Sequence, residues 1–101
     1  MENPYTIPVI LTGTLTRTPR AGLTGADRIV ECLLRIRTRH IRFAGIAPDE
    51  PVKDVYIAHV SGIFHEVLFL RAEKGCRVVI PGYLAPGTAG ISTDIVYRLP
   101  E

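Results

Sequence analysis

The chain has 101 residues, enough for one domain with a modest core. Apolar residues make up 47% and charged residues 22%, which excludes a disordered polar chain, and no apolar run approaches a membrane-spanning helix. The formal net charge of +2 hides a segregation: Thr16 to Arg42 holds seven arginines against two acids, Asp27 and Glu31, so the remainder is net acidic.

Residues 1–6 read as a loose lead-in. "IPVILTGTL", Ile7 to Leu15, is rich in β-branched residues and predicts a strand, with Gly13 marking a bulge or sharp bend inside it. "TRTPRAGLTGA", Thr16 to Ala26, carries Pro and two Gly and predicts a loop or an extended hairpin. A long strand is expected from about Asp27 to His40. There the period of two places Val30, Cys32, Leu34 and Ile36 on one face, and Glu31, Leu33, Arg35, Arg37 and Arg39 on the other. A helix would scatter those arginines around its circumference; a strand gathers them opposite an apolar face.

"RFAGIAPDEPVK", Arg42 to Lys53, predicts a loop, and "DVYIAHV", Asp54 to Val60, a third strand. Phe64, Val67, Leu68 and Arg71 follow the i, i+3, i+4, i+7 spacing, which predicts a short helix over Phe64 to Ala72 ended by Gly75. "CRVVIPGYL", Cys76 to Leu84, is a fourth strand, with Pro81 hinting at an edge or bulge. After the turn "APGTAG", a fifth strand is expected from Ser92 to Leu99. Five strands with one helix between the third and fourth is the order of a mainly β, five-stranded Greek-key OB-fold barrel, here a single domain over 1–101.

The basic side chains are almost all arginine, ten against two lysines. A guanidinium is a planar fork that matches phosphate oxygens bidentately and also stacks on flat rings. Arg35, Arg37, Arg39 and Arg42, with Arg17, Arg20 and Arg28 in the adjoining hairpin and Lys53 beyond, form a candidate polyanion-binding face, the alternative being a solvated basic strand face. Tyr56 has two readings, a stacking residue or a member of an inward Tyr56, Ala58, Val60 set. Tyr83 alternates with apolar neighbours and is expected outward beside Arg77, as a ligand or a dimer contact.

Cys32 and Cys76 sit among apolar neighbours and fit neither a disulfide framework nor a metal pattern, so two buried free thiols are expected. His40, His59 and His65 pair with no ligand at a metal spacing. No nucleophile elbow and no Gly-rich phosphate loop is present, so neither an enzyme nor a cofactor is expected. The lack of a basic-then-apolar leader points to the cytoplasm.

"VILTGTLTRTP" near the start, followed by "FHEVLFLRAEKGCRVVIPGYL", resembles the bacterial single-stranded DNA-binding protein family and its smaller branch, primosomal replication protein B. The shared features are a Val-Ile-Leu-x-Gly-x-Leu strand running into a Pro-containing loop, then Lys74-Gly75 and Gly82-Tyr83-Leu84 at matching spacing. The resemblance covers about Val9 to Leu99. It implies single-stranded DNA binding in replication, primosome assembly, replication restart or plasmid maintenance, with single-stranded DNA, a second copy of the chain and replication-restart proteins as partners. Family members stack bases on tryptophans of the second and third strands, and this chain has no Trp. The corresponding third-strand positions fall near Val55 and Ser61, leaving Phe43 as a family stacking place, with Tyr56 as a further candidate. The chain ends at "YRLPE" without an acidic-tipped tail, which favours the short branch that binds as a dimer through basic residues. The opposing reading is an OB-fold protein-interaction or assembly subunit that has lost nucleic-acid binding; single-stranded RNA is a third.

Overall fold

The computed structural model describes residues 6–24, 29–44, 50–62 and 73–100, with backbone alone over 20–24, 29–32 and at 62. Among the described residues, seven strands follow in chain order: β1 (Ile7–Leu15), β2 (Arg20–Thr24), β3 (Ile29–Phe43), β4 (Val55–Gly62), β5 (Arg77–Leu84), β6 (Gly90–Thr93) and β7 (Tyr97–Arg98). They pair in the order β1-β3-β4-β6-β5, and β1 pairs again with β5, which closes a five-stranded barrel. All barrel pairings are antiparallel except β4 with β6. This is the OB-fold-like barrel expected from the element order. The helix expected over Phe64 to Ala72 lies outside the described residues. Its expected stop, Gly75, has φ of 94°, a conformation glycine adopts without strain.

Alternation fills the interior. Val9, Leu11 and Leu15 of β1, Leu34 and Ile36 of β3, Tyr56, Ala58 and Val60 of β4, and Val78, Ile80 and Leu84 of β5 are all buried. The inward reading of Tyr56 therefore holds. Its ring is fully buried, and its hydroxyl accepts the Lys53 N–H at 3.0 Å, tying the entry to β4 onto the core. Cys76 is buried and free, and its Sγ accepts the Glu73 N–H at 3.3 Å. The side chain of Cys32 lies outside the described residues.

Gly13 marks an irregularity, as expected. The β1–β3 register shifts between Thr12 and Gly13: Thr12 faces His40 and Gly13 faces Thr38, so Arg39 is the extra residue of a bulge on β3. One inserted residue inverts the alternation beyond it. Leu34 and Ile36 point inward before the bulge, and Ile41 and Phe43 after it. Phe43, the stacking place that the resemblance implied, is half-buried and packs against the core, which leaves it poorly placed to stack on a base.

The expected fifth strand is split in two. β6 pairs with β5 only at Tyr83 and Leu84, and β7 pairs with β5 at Val78 and Val79. Pro81 sits in the gap. Its C=O accepts from Thr93 Oγ1 at 2.6 Å, so that edge of Pro81 faces the final segment, where it has no N–H to offer. The same Thr93 oxygen accepts the Ile95 N–H at 3.2 Å and turns the chain away. Thr93→Val keeps the shape but strips a partner from both groups, and is expected to cost about 1–3 kcal/mol. A urea midpoint equal to the parent's would contradict that assignment.

Closure also removes an argument for pairing of copies. β1 is hydrogen-bonded on both sides, Val9 facing Phe43 on β3 and Gly82 on β5, so it offers no free edge to a second copy. Among the described residues no helix is long and apolar enough to cross a membrane.

Candidate nucleic-acid interface

β3 is 15 residues long because it serves two partners on one side and one on the other. β1 pairs with Ile36 to Phe43, β2 with Ile29 to Leu33, and β4 runs along Val30 to Arg37 on the opposite side. Its outer face is therefore the centre of a broad sheet surface. Leu33, Arg35, Arg37, Arg39, His40 and Arg42 are all exposed on β3. Strand alternation accounts for Arg35 and Arg37. The bulge accounts for the adjacent exposure of Arg39 and His40, and the inverted phase beyond it for Arg42.

Arg17 joins this row from the β1–β2 loop. Thr16 donates to the Arg35 carbonyl twice, from its N–H at 2.9 Å and its Oγ1 at 3.3 Å. The start of the loop is thus clamped to the strand at Arg35, and the exposed Arg17 follows directly. Arg17, Leu33, Arg35 and Ile57 line one open groove of about 360 Å³. Ile57 reaches it because it faces Arg35 in the β3–β4 register. Two of these lining residues are aliphatic and two are arginines.

Lys53 is half-buried with its N–H held by Tyr56. The Thr38 N–H donates to the Asp54 carbonyl at 2.7 Å, which sets Lys53 near the Arg39 end of β3. Arg20 faces Leu33 in the β2–β3 ladder, its side chain outside the description, and Arg28 lies outside the described residues altogether. Of the expected site residues, the structure brings Arg17, Arg35, Arg37, Arg39 and Arg42 to one surface. Tyr56 is not part of it: a ring with no exposed area offers no face to a base. Phe43 is turned toward the core by the bulge. Leu33 and Ile57 went unassigned, although their outward position was legible for Leu33 from its place among the arginines.

On the described outer faces of β3 and β4 no aromatic ring is exposed. Exposed tyrosines lie elsewhere. Tyr83, outward as expected, faces Pro8 of β1, next to the exposed Ile10, and Tyr97 faces Val79. Among the described residues no group of three or more His, Cys, Asp or Glu side chains is placed to hold a metal ion.

These features define a class: a small OB-fold-like barrel with a row of arginines across one outer face. The chain matches no protein-family model and no curated protein sequence.

Proposed function

We propose that the chain is a single-stranded DNA-binding module whose ligand lies along the outer face of β3. The observation that carries this reading is the row of exposed Arg35, Arg37, Arg39 and Arg42 joined by Arg17. Neutralising phosphates with such a row releases counterions, so affinity arises without base recognition and falls as salt rises. The resemblance of the β1 and β5 segments to bacterial single-stranded DNA-binding proteins supports a role in replication, primosome assembly or restart, or plasmid maintenance, in the cytoplasm. No catalytic chemistry is needed for that role. Titration of a labelled dT oligomer at two salt concentrations tests it. Binding at low salt that weakens steeply with added salt is the expected result; no binding at low salt would overturn it.

Exposed Ile10 and Tyr83, neighbours across β1 and β5 with Pro8 and Pro81 beside them, support a homodimer formed face to face in place of an edge. Sedimentation at micromolar concentration is expected to give a dimer that Ile10→Asp with Tyr83→Asp converts to a monomer. A monomeric parent would contradict this. The same patch favours the second reading, an assembly subunit, if the parent fails to bind any single strand.

A further inference from the structure

The groove lined by Arg17, Leu33, Arg35 and Ile57 does more than continue the charged row. A surface built only to attract phosphates needs no apolar floor. Here the apolar lining is specific: Leu33 is 50% exposed on β3, and Ile57 lies diagonally from it across the β3–β4 ladder, opposite Arg35, while Leu33 itself faces His59. Outward aliphatic side chains flanked by guanidinium groups lose water at little cost, because a guanidinium is weakly hydrated and planar. A flat, largely apolar ligand with an attached negative charge fits such a slot, and at about 360 Å³ the groove is at the small end of ligand-binding clefts.

We infer that this groove is a base-binding slot, in which one nucleobase of the bound strand lies on Leu33 and Ile57 and stacks against the guanidinium plane of Arg17. The inference rests on the single-stranded nucleic-acid reading and deepens it. Arg35 emerges from the same strand one alternation beyond Leu33 and takes the adjoining phosphate. Arg17 is suited to the stacking place because Thr16, its neighbour, is doubly anchored to the Arg35 carbonyl, so the start of the loop is positioned before the ligand arrives. The slot supplies through aliphatic carbon and guanidinium what an aromatic platform supplies elsewhere. It also explains why a fully buried Tyr56 and an inward Phe43 leave the surface able to hold bases.

The test compares two oligomers of equal length and charge, dT and its abasic counterpart carrying the same phosphates without bases. The native chain is expected to bind dT about tenfold or more tightly, the discrimination a single stacked base confers. Arg17→Lys keeps the charge and removes the planar group. It is expected to shrink that ratio toward one while leaving the salt slope unchanged. Leu33→Asn, an exposed position, is expected to do the same with the unfolding midpoint preserved. Equal affinity of the parent for the two oligomers would overturn the slot and leave the phosphate-binding reading standing. Binding to neither would overturn both and favour a protein partner. A ratio unaltered in Arg17→Lys would overturn the stacking role given to Arg17.

Discussion

Replacing Arg35, Arg37 and Arg39 together by alanine is expected to leave the barrel folded and to weaken binding to a dT oligomer about 100-fold. The fold should survive because all three side chains are exposed, while the neighbouring Leu34 and Ile36, on the inner face, are untouched. Exposed positions of this kind shift stability little, apart from the packing lost with each aliphatic stem. Binding should fall because each guanidinium is worth roughly 1 kcal/mol net against a phosphate, and about 3 kcal/mol is two decades in affinity. The salt dependence supplies an independent check. The slope of log affinity against log salt should flatten by about 0.7 for each phosphate contact removed, or roughly 2 for the three. A triple variant with the parent's slope would show that the row is a solvated face. A triple variant that no longer unfolds cooperatively would show that the arginine stems hold the sheet together.

The second large effect concerns the barrel itself. Gly13→Val is expected to abolish the folded state. Gly13 occupies a buried position on β1, opposite the bulge on β3. A Cβ built there would lie 2.5 Å from Ile36 Cγ2 and nearer still to the carbonyl oxygen of Arg37. The second obstacle is backbone in a hydrogen-bonded ladder, so no rotamer change relieves it. Relief requires β1 and β3 to part, which breaks the closure that every other strand depends on. The cost is several kcal/mol, comparable with the whole stability of a domain this small. Gly75→Ala is the internal control. Its φ is positive, but nothing lies within 4 Å of its added Cβ, so the expected loss is only about 1 kcal/mol. Circular dichroism and a denaturant titration distinguish the two. A Gly13→Val chain with a normal unfolding midpoint would show that the bulge yields more easily than its contacts suggest.

The barrel was legible in the residues because alternation and turn chemistry agreed along most of the chain. β1 follows from its β-branched residues, and the inner and outer sets of β3 from Leu33 to Arg37 follow from the period of two. The reading failed where one residue changed the phase. Gly13 signalled a bulge, but the extra residue, Arg39, is on the partner strand, and a single strand's pattern does not show how its neighbour's register shifts. Phe43, a stacking candidate by resemblance, turns toward the core for that reason. Tyr56 illustrates a different limit. Val55-Tyr56-Ile57-Ala58 is apolar in both phases, so alternation alone leaves two answers, and the buried hydroxyl partner that decides between them comes from folding. Pro81 was read correctly as a flaw in its strand, but its consequence falls twelve residues later, where the last strand breaks after Thr93. At the candidate interface, the arginines announced themselves by type and spacing. The apolar floor did not, because an outward leucine or isoleucine is commonplace until a groove forms around it.

The bulge at Arg39 gives the outer face of β3 a direction. Before it, Arg35 and Arg37 recur every second residue, about 6.6–6.8 Å apart along the strand, a repeat set by the pleat and not by side-chain flexibility. At Arg39 and His40 two neighbouring positions are exposed in succession, and a bulged strand bends and twists more strongly there. A polymer laid along this face would therefore meet an evenly graduated straight section, then a corner. Its two ends are not equivalent: one lies by the Arg17 groove, the other beyond the bend at Arg42. A surface of that kind reads polarity, and a strand with a 5′ and a 3′ end would have one preferred way to lie on it.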